Sequence, residues 1–296
     1  MPDAHTQQSD HEGTTIAIAA LIGAAVIWGT ATIGTKTALD TYAPFVLASL
    51  RWSLALAVLL PVLGWRKRRP VLDKRTAILG FTGIAAFNLF FNFGLQRTSA
   101  ANGSLISGAL PVVIALLSFV LLHERLPPIA FVGIAISIGG IIVTVMGKSL
   151  DTSFSGNVLM FGSVFVWALY SIYARQFMRG EDALAVMAGT ALFGLVMMLP
   201  MAGYEVVADG FARPTVDVTL IVLYLALGPS LAGILFWSFG LTRIPASRAS
   251  VFSNITPIVG ILAAGLVLSE PLTRYHIVGG GLVLVGVYLA TRIRHR

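Results

Sequence analysis

Phe93-Gly94-Leu95-Gln96-Arg97 recurs as Phe239-Gly240-Leu241-Thr242-Arg243, 146 residues further along the chain. The likeness runs without a gap from 93–140 to 239–286, and sixteen of the 48 aligned positions are identical. Among them are Ser107/Ser253, Pro111/Pro257, Glu124/Glu270, Gly133/Gly279 and Gly140/Gly286. A period this long is not that of a solenoid. In an apolar chain it points to a duplicated membrane bundle, the arrangement that carriers use to build two faces around one central site.

Composition agrees with a membrane setting. Of 296 residues, 56% are hydrophobic and 11% charged, against about 25% charged in ordinary soluble domains. There is no cysteine, which excludes disulfide frameworks, thiolate metal sites and cysteine nucleophiles. His5, His11 and His295 lie in polar ends, and His123 and His276 stand alone at helix borders, so no metal is expected. The net charge of +7 would suggest nucleic acid for a soluble protein. Here the basic residues fall between apolar runs, and membrane orientation explains them without a nucleic-acid partner. Residues 1–15 are polar and carry no Lys or Arg. A secretory signal has a basic start and a short apolar core, so the first apolar run is read as an uncleaved membrane helix.

Spanning a bilayer takes about 20 apolar residues. Ten segments qualify: 16–38, 44–63, 76–96, 102–122, 128–147, 156–178, 182–203, 216–240, 247–268 and 273–292. The fold class is therefore an all-α membrane protein of ten transmembrane helices. A polar tail (1–15) precedes a first five-helix repeat (16–147), a second five-helix repeat (156–292) and a short tail (293–296). Lys and Arg stay on the cytoplasmic side. With the N-terminus inside, fourteen basic residues fall in inner loops and tails, five in outer loops, and Arg51 alone within a span. Both termini are thus expected in the cytoplasm. Five spans separate the copies, and five is odd, so the repeats are inverted: Arg97 faces out and Arg243 faces in.

The motifs as a set resemble the drug/metabolite transporter superfamily in its EamA-type, ten-span branch. They are Trp28-Gly29 with Lys36, Leu50-Arg51-Trp52, the run Leu95 to Ala101 with Pro111, Leu122 to Leu126 and Gly133, and then the second copy from Leu241 through Pro257 and Glu270 to Gly279. The nearest resemblance inside that branch is to the YddG-type aromatic amino-acid exporters. The resemblance implies a bacterial inner-membrane carrier with its cavity between the halves, a small-molecule substrate, amino acids first among them, and no enzymatic activity and no cofactor.

Polar groups in hydrocarbon are costly unless they meet a partner or line a wet cavity, so candidate substrate contacts are polar and aromatic residues deep in spans. Trp28 sits in the first span, Asn88 and Asn92 one turn apart in the third, Ser107 in the fourth, Trp167 and Tyr170 in the sixth, Trp237 in the eighth, and Ser253 and Asn254 in the ninth. Amides and hydroxyls suit a substrate's amino and carboxylate groups, while the rings suit its side chain. The plainer alternatives are serines bonded to their own helix and tryptophans anchored at the interface; the latter fits Trp65. Pro111 and Pro257, mid-span in both copies, are expected to kink their helices, as static curvature or as hinges. Arg51 is expected to hold a structural salt bridge or carbonyl bonds. Gly133, Gly139, Gly140, Gly279, Gly280, Gly281 and Gly286 are expected as close-packing scaffold.

No Asp or Glu lies at the centre of a span. Direct proton antiport is therefore not expected, and facilitated diffusion of a cargo with no net charge fits better. The alternative is a proton-coupled exporter of drugs or other metabolites. Organic phosphates would need more cavity cations than Arg51 and Lys36. An intramembrane serine protease would need Gly-x-Ser-Gly with a partner histidine, and Leu105-Ile106-Ser107-Gly108 lacks the leading glycine. A purely structural membrane scaffold would have no evident use for inverted symmetry. The cysteine-free chain makes topology testable: Arg97→Cys and Arg243→Cys should label with an impermeant maleimide from opposite sides, and same-side labelling would overturn the inverted reading.

Overall fold

The computed structural model describes residues 4–123, 126–146, 150–177, 181–241, 243 and 250–291. Expectations placed on Glu124, Arg125, Lys148, Arg179, Arg248 and the tail arginines fall outside these residues. Among the described residues every regular element is helical. They are α1 (Ala4–Ala38), α2 (Pro44–Trp65), α3 (Lys74–Arg97), α4 (Ala100–Leu121), α5 (Pro128–Met146), α6 (Leu150–Phe177) and α7 (Ala183–Asp209). Next comes α8, built as Val216–Leu227, a π-helical Gly228–Ala232 and Gly233–Leu241. Then follow α9, a 3-10 turn Ser250–Asn254 leading into Ile255–Val267, and α10 (Arg274–Thr291). Among the described residues seven helices are long and apolar enough to cross a membrane, and three more apolar stretches are shorter: Pro128–Thr144, Phe252–Val267 and Arg274–Ala290. The helix of α1 starts at Ala4, inside the stretch expected to be a polar tail.

Local chemistry sets the starts. Asp73 and Thr76 form a reciprocal capping box at α3: Thr76 N–H donates to Asp73 Oδ1 at 2.9 Å and Asp73 N–H to Thr76 Oγ1 at 3.1 Å. The Thr76 amide holds the Asp73 carboxyl below its ordinary value. Ser99, Asp182 and Thr215 cap α4, α7 and α8 by a side-chain oxygen that accepts backbone N–H groups of the first turn, and Pro44 opens α2. Two other starts are held from outside the helix. Glu205 accepts the Phe45 and Val46 amides of α2 at 2.9 Å each. Glu270 accepts the Ala100 and Ala101 amides of α4 at 2.8 and 2.9 Å. A carboxylate at a helix N-terminus meets both free N–H groups and the positive end of the helix dipole.

The irregularities come in pairs at the 146-residue spacing. α3 contains a π turn at Phe81–Ala86 and α8 one at Gly228–Ala232. α4 stops at Ser107 and restarts at Leu110, while α9 restarts at Ile255 after its 3-10 turn. α4 and α9 are followed by left-handed residues, His123 (φ 54°) and Ser269 (φ 52°), which are aligned copies of each other. This corrects the mid-helix kinks expected at Pro111 and Pro257. Both prolines lie in the first turn of a restarted helix, where a missing N–H costs no helical bond. The prolines inside continuous helices are Pro61 in α2 and Pro200 in α7.

Packing follows the same pairing. α5 packs on α10, α2 on α7 and α4 on α9; α1 packs on α8 and α9 as α6 packs on α3 and α4. Exchanging each helix for the one five places away leaves these pairings unchanged. The α5–α10 crossing is tightest. A Cβ built on Gly133 would lie 2.5 Å from Gly286 O, and one on Gly286 would lie 2.6 Å from Gly133 O. Gly140 and Gly279 stand in the same reciprocal relation at 2.6 Å. Small residues at such a crossing let backbones approach and gain dispersion contact. Gly133→Ala and Gly286→Ala should each lower the melting midpoint of the detergent-purified protein, by an overpacking cost of about 1–3 kcal/mol. Gly139→Ala, whose Cβ would meet nothing within 4 Å, should leave it unchanged.

Candidate functional site

The paired irregularities carry the aromatic residues. At α8's π turn, Trp28 of α1 donates its indole N–H to Pro229 O at 3.1 Å, taking a carbonyl on the distorted segment. Its ring meets Trp237 with centroids 5.5 Å apart and planes tilted by 49°. Gly233 permits this approach, since a Cβ there would fall 2.7 Å from Trp28 Nε1. At α3's π turn the filling differs. Trp167 of α6 packs on Phe87 at 4.8 Å and on Tyr170 at 4.8 Å, and Phe87 stacks on Phe91 at 5.2 Å. Tyr170 lies directly over Gly83. Trp28, Trp167, Tyr170 and Trp237 are all partly exposed.

The breaks of α4 and α9 face each other. A Cβ on Gly108 would lie 3.1 Å from Pro257 Cβ, and Gly260 sits against Ser104. α1 leans on the same place, with Gly29 against Val259 and Thr256. Ser107, Ser253, Asn254 and Pro111 lie partly exposed at these breaks, and Pro257 is buried. Ser107 Oγ donates to Gly103 O of its own helix at 2.8 Å. Asn254 makes no capping bond to α9.

The two asparagines turn into the wall. Asn88 is 3% and Asn92 1% exposed. Asn88 Nδ2 donates to Ile84 O, a carbonyl of the π turn, at 2.8 Å; Asn92 Nδ2 donates to Pro44 O at the start of α2 at 2.9 Å. The structure thus gathers the tryptophans and the break residues at the irregular segments and leaves both amides as braces for backbone.

Three features escape sequence reasoning. The π turn in α3 has no proline to announce it; Gly228-Pro229 does announce the one in α8. Among the described residues Arg51 has neither of the partners expected for it: its Nε donates to Ser230 Oγ at 2.7 Å, and Ser230 Oγ donates to Leu225 O at 3.0 Å. His276, expected to stand alone at a border, is 4% exposed and bonded. Thr273 N–H donates to its Nδ1 at 3.1 Å, which leaves Nε2–H to donate to Asn102 Oδ1 at 3.0 Å. From Asn102 the chain of bonds runs through Thr98 Oγ1 to Asn157 Oδ1. Among the described residues no group of three or more His, Cys, Asp or Glu could hold a metal ion.

Known proteins place this arrangement. A crystal structure superposes with a TM-score of 0.67 over 95% of this chain and 96% of that one at 20% identity, a likeness of fold alone. A protein of Streptantibioticus cattleyicolor named a probable terminal-alkyne amino-acid exporter is 29% identical, over 93% of each chain. A probable amino-acid metabolite efflux pump of Escherichia coli is 28% identical, over 89% of this chain and 91% of its own. The uncharacterised transporter YetK of Bacillus subtilis is 27% identical over 92% of this chain and 86% of its own. The EamA-like transporter family model matches twice in succession, over residues 15–146 and again over 154–292. With both stretches matched to one model, the chain belongs to the EamA-like transporter family.

Proposed function

We propose that this chain is a secondary transporter that exports neutral amino acids, aromatic ones among them, by alternating access of two inverted five-helix halves. The observation that carries the reading is the pairing of broken helices. Carriers place discontinuous helices where substrate binds near the midplane. Here π turns recur in α3 and α8, and breaks recur in α4 and α9, with Trp28 bonded to the α8 π turn and Tyr170, beside Trp167, packed over the α3 π turn. The reciprocal Gly133–Gly286 and Gly140–Gly279 contacts support the inversion, because each residue meets the copy of the other, as across a two-fold axis. The relatives named a probable terminal-alkyne amino-acid exporter and a probable amino-acid metabolite efflux pump support the substrate class. In this reading all ten apolar stretches cross the inner membrane with both termini inside. The paired rings of Trp28 with Trp237 and of Trp167 with Tyr170 receive the side chain, and Ser107, Ser253 and Asn254 meet its polar groups. Pro111 and Pro257 mark the restart points about which each half opens.

Facilitated diffusion is the coupling we propose. Glu205 and Glu270 are each committed to two backbone amides. His276 has its Nδ1 lone pair taken by an N–H donor, so taking up a proton there would break the start of α10. No carboxylate of this set is left to trade protons against cargo. In proteoliposomes with a fixed substrate gradient, flux should therefore be the same with and without an imposed pH gradient; flux that requires the pH gradient would favour the proton-coupled exporter instead.

Counterflow with a panel of amino acids separates lining from bracing residues. Trp28→Ala and Trp167→Ala should raise KM by about tenfold or more, equivalent to about 1.4 kcal/mol of lost contact. Trp167→Ala should leave the melting midpoint little changed, while Trp28→Ala, which also frees Pro229 O, should lower it as well. Asn92→Ala should act oppositely. It leaves the Pro44 carbonyl without its donor, a loss of about 1–3 kcal/mol in stability, and Asn88→Ala should behave alike. Wild-type protein that moves no amino acid would overturn the proposed substrate class.

A further inference from the structure

We propose that Arg51 is the docking point for the carboxylate of the cargo. The inference rests on the amino-acid-exporter reading and adds to it the group that recognises the acid end. Arg51 lies within α2, and a cation there is costly unless it is paired or faces water. Its Nε bonds Ser230 Oγ at 2.7 Å. Among the described residues no carboxylate stands within ion-pair reach of it; the Trp52 ring lies 5.9 Å from it and Tyr224 is also close enough to interact with its charge. No hydrogen bond is made by either terminal guanidinium nitrogen, Nη1 or Nη2, among those residues. These are the two nitrogens that present the planar fork suited to a carboxylate.

A purely structural role explains less. The α3 π turn forms without such a cation: the aligned counterpart of Ser230 is Ile84, packed against Gly194 of α7, and Gly80 packs against Thr190 O and Gly194. There α7 lies close along the π turn, whereas α2 touches the α8 π turn sparsely. The same backbone distortion is thus sealed by apolar packing in one half and left beside a charged fork in the other. The position is also connected to the aromatic site. Arg51 and Trp28 donate to neighbouring residues of one π turn, Ser230 and Pro229, from α2 and α1 respectively. A cargo with its ring at the Trp28–Trp237 pair and its carboxylate at Arg51 would neutralise the uncompensated guanidinium for as long as it is bound.

Binding is read apart from transport. Sodium 3-phenylpropionate, which carries the ring and the acid without an amine, should raise the melting midpoint of the detergent-purified wild-type protein, and 3-phenylpropanol should not. Arg51→Met should lose that shift. Arg51→Lys, which keeps the charge but not the fork, should lose most of it. Ser230→Ala, which removes the protein's hold on the guanidinium but leaves the fork, should retain it. In counterflow, phenylalanine should compete at least tenfold better than phenylalaninol in wild type, and Arg51→Met should lose that preference. An equal shift in Arg51→Met, no shift in wild type, or equal competition by phenylalaninol overturns the Arg51 site. If Arg51→Met fails to fold, Arg51→Lys and Ser230→Ala decide: loss of the shift in Ser230→Ala to the same degree as in Arg51→Lys makes the residue a brace for the π turn and overturns the site. An intact 3-phenylpropionate shift in a protein that moves no amino acid sinks the exporter reading and leaves the Arg51 site standing.

Discussion

A backbone carbonyl or amide freed inside a bilayer has no water to bond, and each one left bare is costly. That constraint governs where this chain can bend. Several of the places where a helix starts, stops or bulges are met by a side chain, some from the same helix and some from another. Asn88 takes Ile84 O at the first π turn, and Trp28 and Ser230 take Pro229 O and Leu225 O around the second. Lys36 takes Leu95 O and Thr98 O at 2.6 and 2.8 Å where α3 ends. Glu205 and Glu270 supply the acceptors for two helix starts. Most of the polar groups that look expensive in the sequence are the means by which irregular backbone survives in an apolar setting.

The same constraint explains why the irregular segments lie where helices cross rather than on the outer face. The exposed surface is studded with apolar side chains on regular helix, such as Val207, Leu266 and Ile277, which are 88%, 83% and 73% exposed. Broken backbone needs protein on all sides or a wet space to face. The breaks of α4 and α9 meet each other through Gly108 and Pro257, and α1 closes over them at Gly29. The glycine crossing of α5 with α10 is the rigid counterpart, two unbroken helices held backbone to backbone.

Much of the architecture was legible before any coordinates. Apolar runs near 20 residues marked where the helices lie, though α1, α6 and α7 run past the apolar stretch by six to twelve residues, and the 146-residue offset announced the pairing that reappears in the π turns, the restarts and the left-handed ends at His123 and Ser269. The roles of single polar residues were much less legible. Asn88 and Asn92 share a helical face, which suggested a pair aimed at cargo, yet the Asn88 amide nitrogen bonds a carbonyl of its own helix and that of Asn92 a carbonyl that only the fold brings within reach. Pro44 O is 48 residues from Asn92 and Leu95 O is 59 from Lys36, separations that no local pattern encodes. Pro111 and Pro257 misled for a related reason. Their spacing in the sequence places them mid-span, but whether a helix runs through a proline or restarts just before it depends on the packing around Gly108 and Asn254. His276 illustrates the converse, a border position drawn inward by Asn102 from another helix.

Symmetry gives the two halves the same bulges, but not the same way of filling them. In α3 the π turn is covered by Tyr170 over Gly83 and by Ile84 against Gly194, contacts that are apolar and tight. In α8 the corresponding turn is held by a tryptophan N–H and by an arginine acting through a serine. An apolar seal is gained wherever surfaces meet and is indifferent to what else binds. A hydrogen-bonded cation is different, because its energy changes when an anion arrives. If the halves rock against each other, the α3 turn moves as a packed unit, while the α8 turn is the one whose surroundings respond to cargo. Two-sided access needs the likeness of the halves; recognition needs the difference between Ile84 and Ser230.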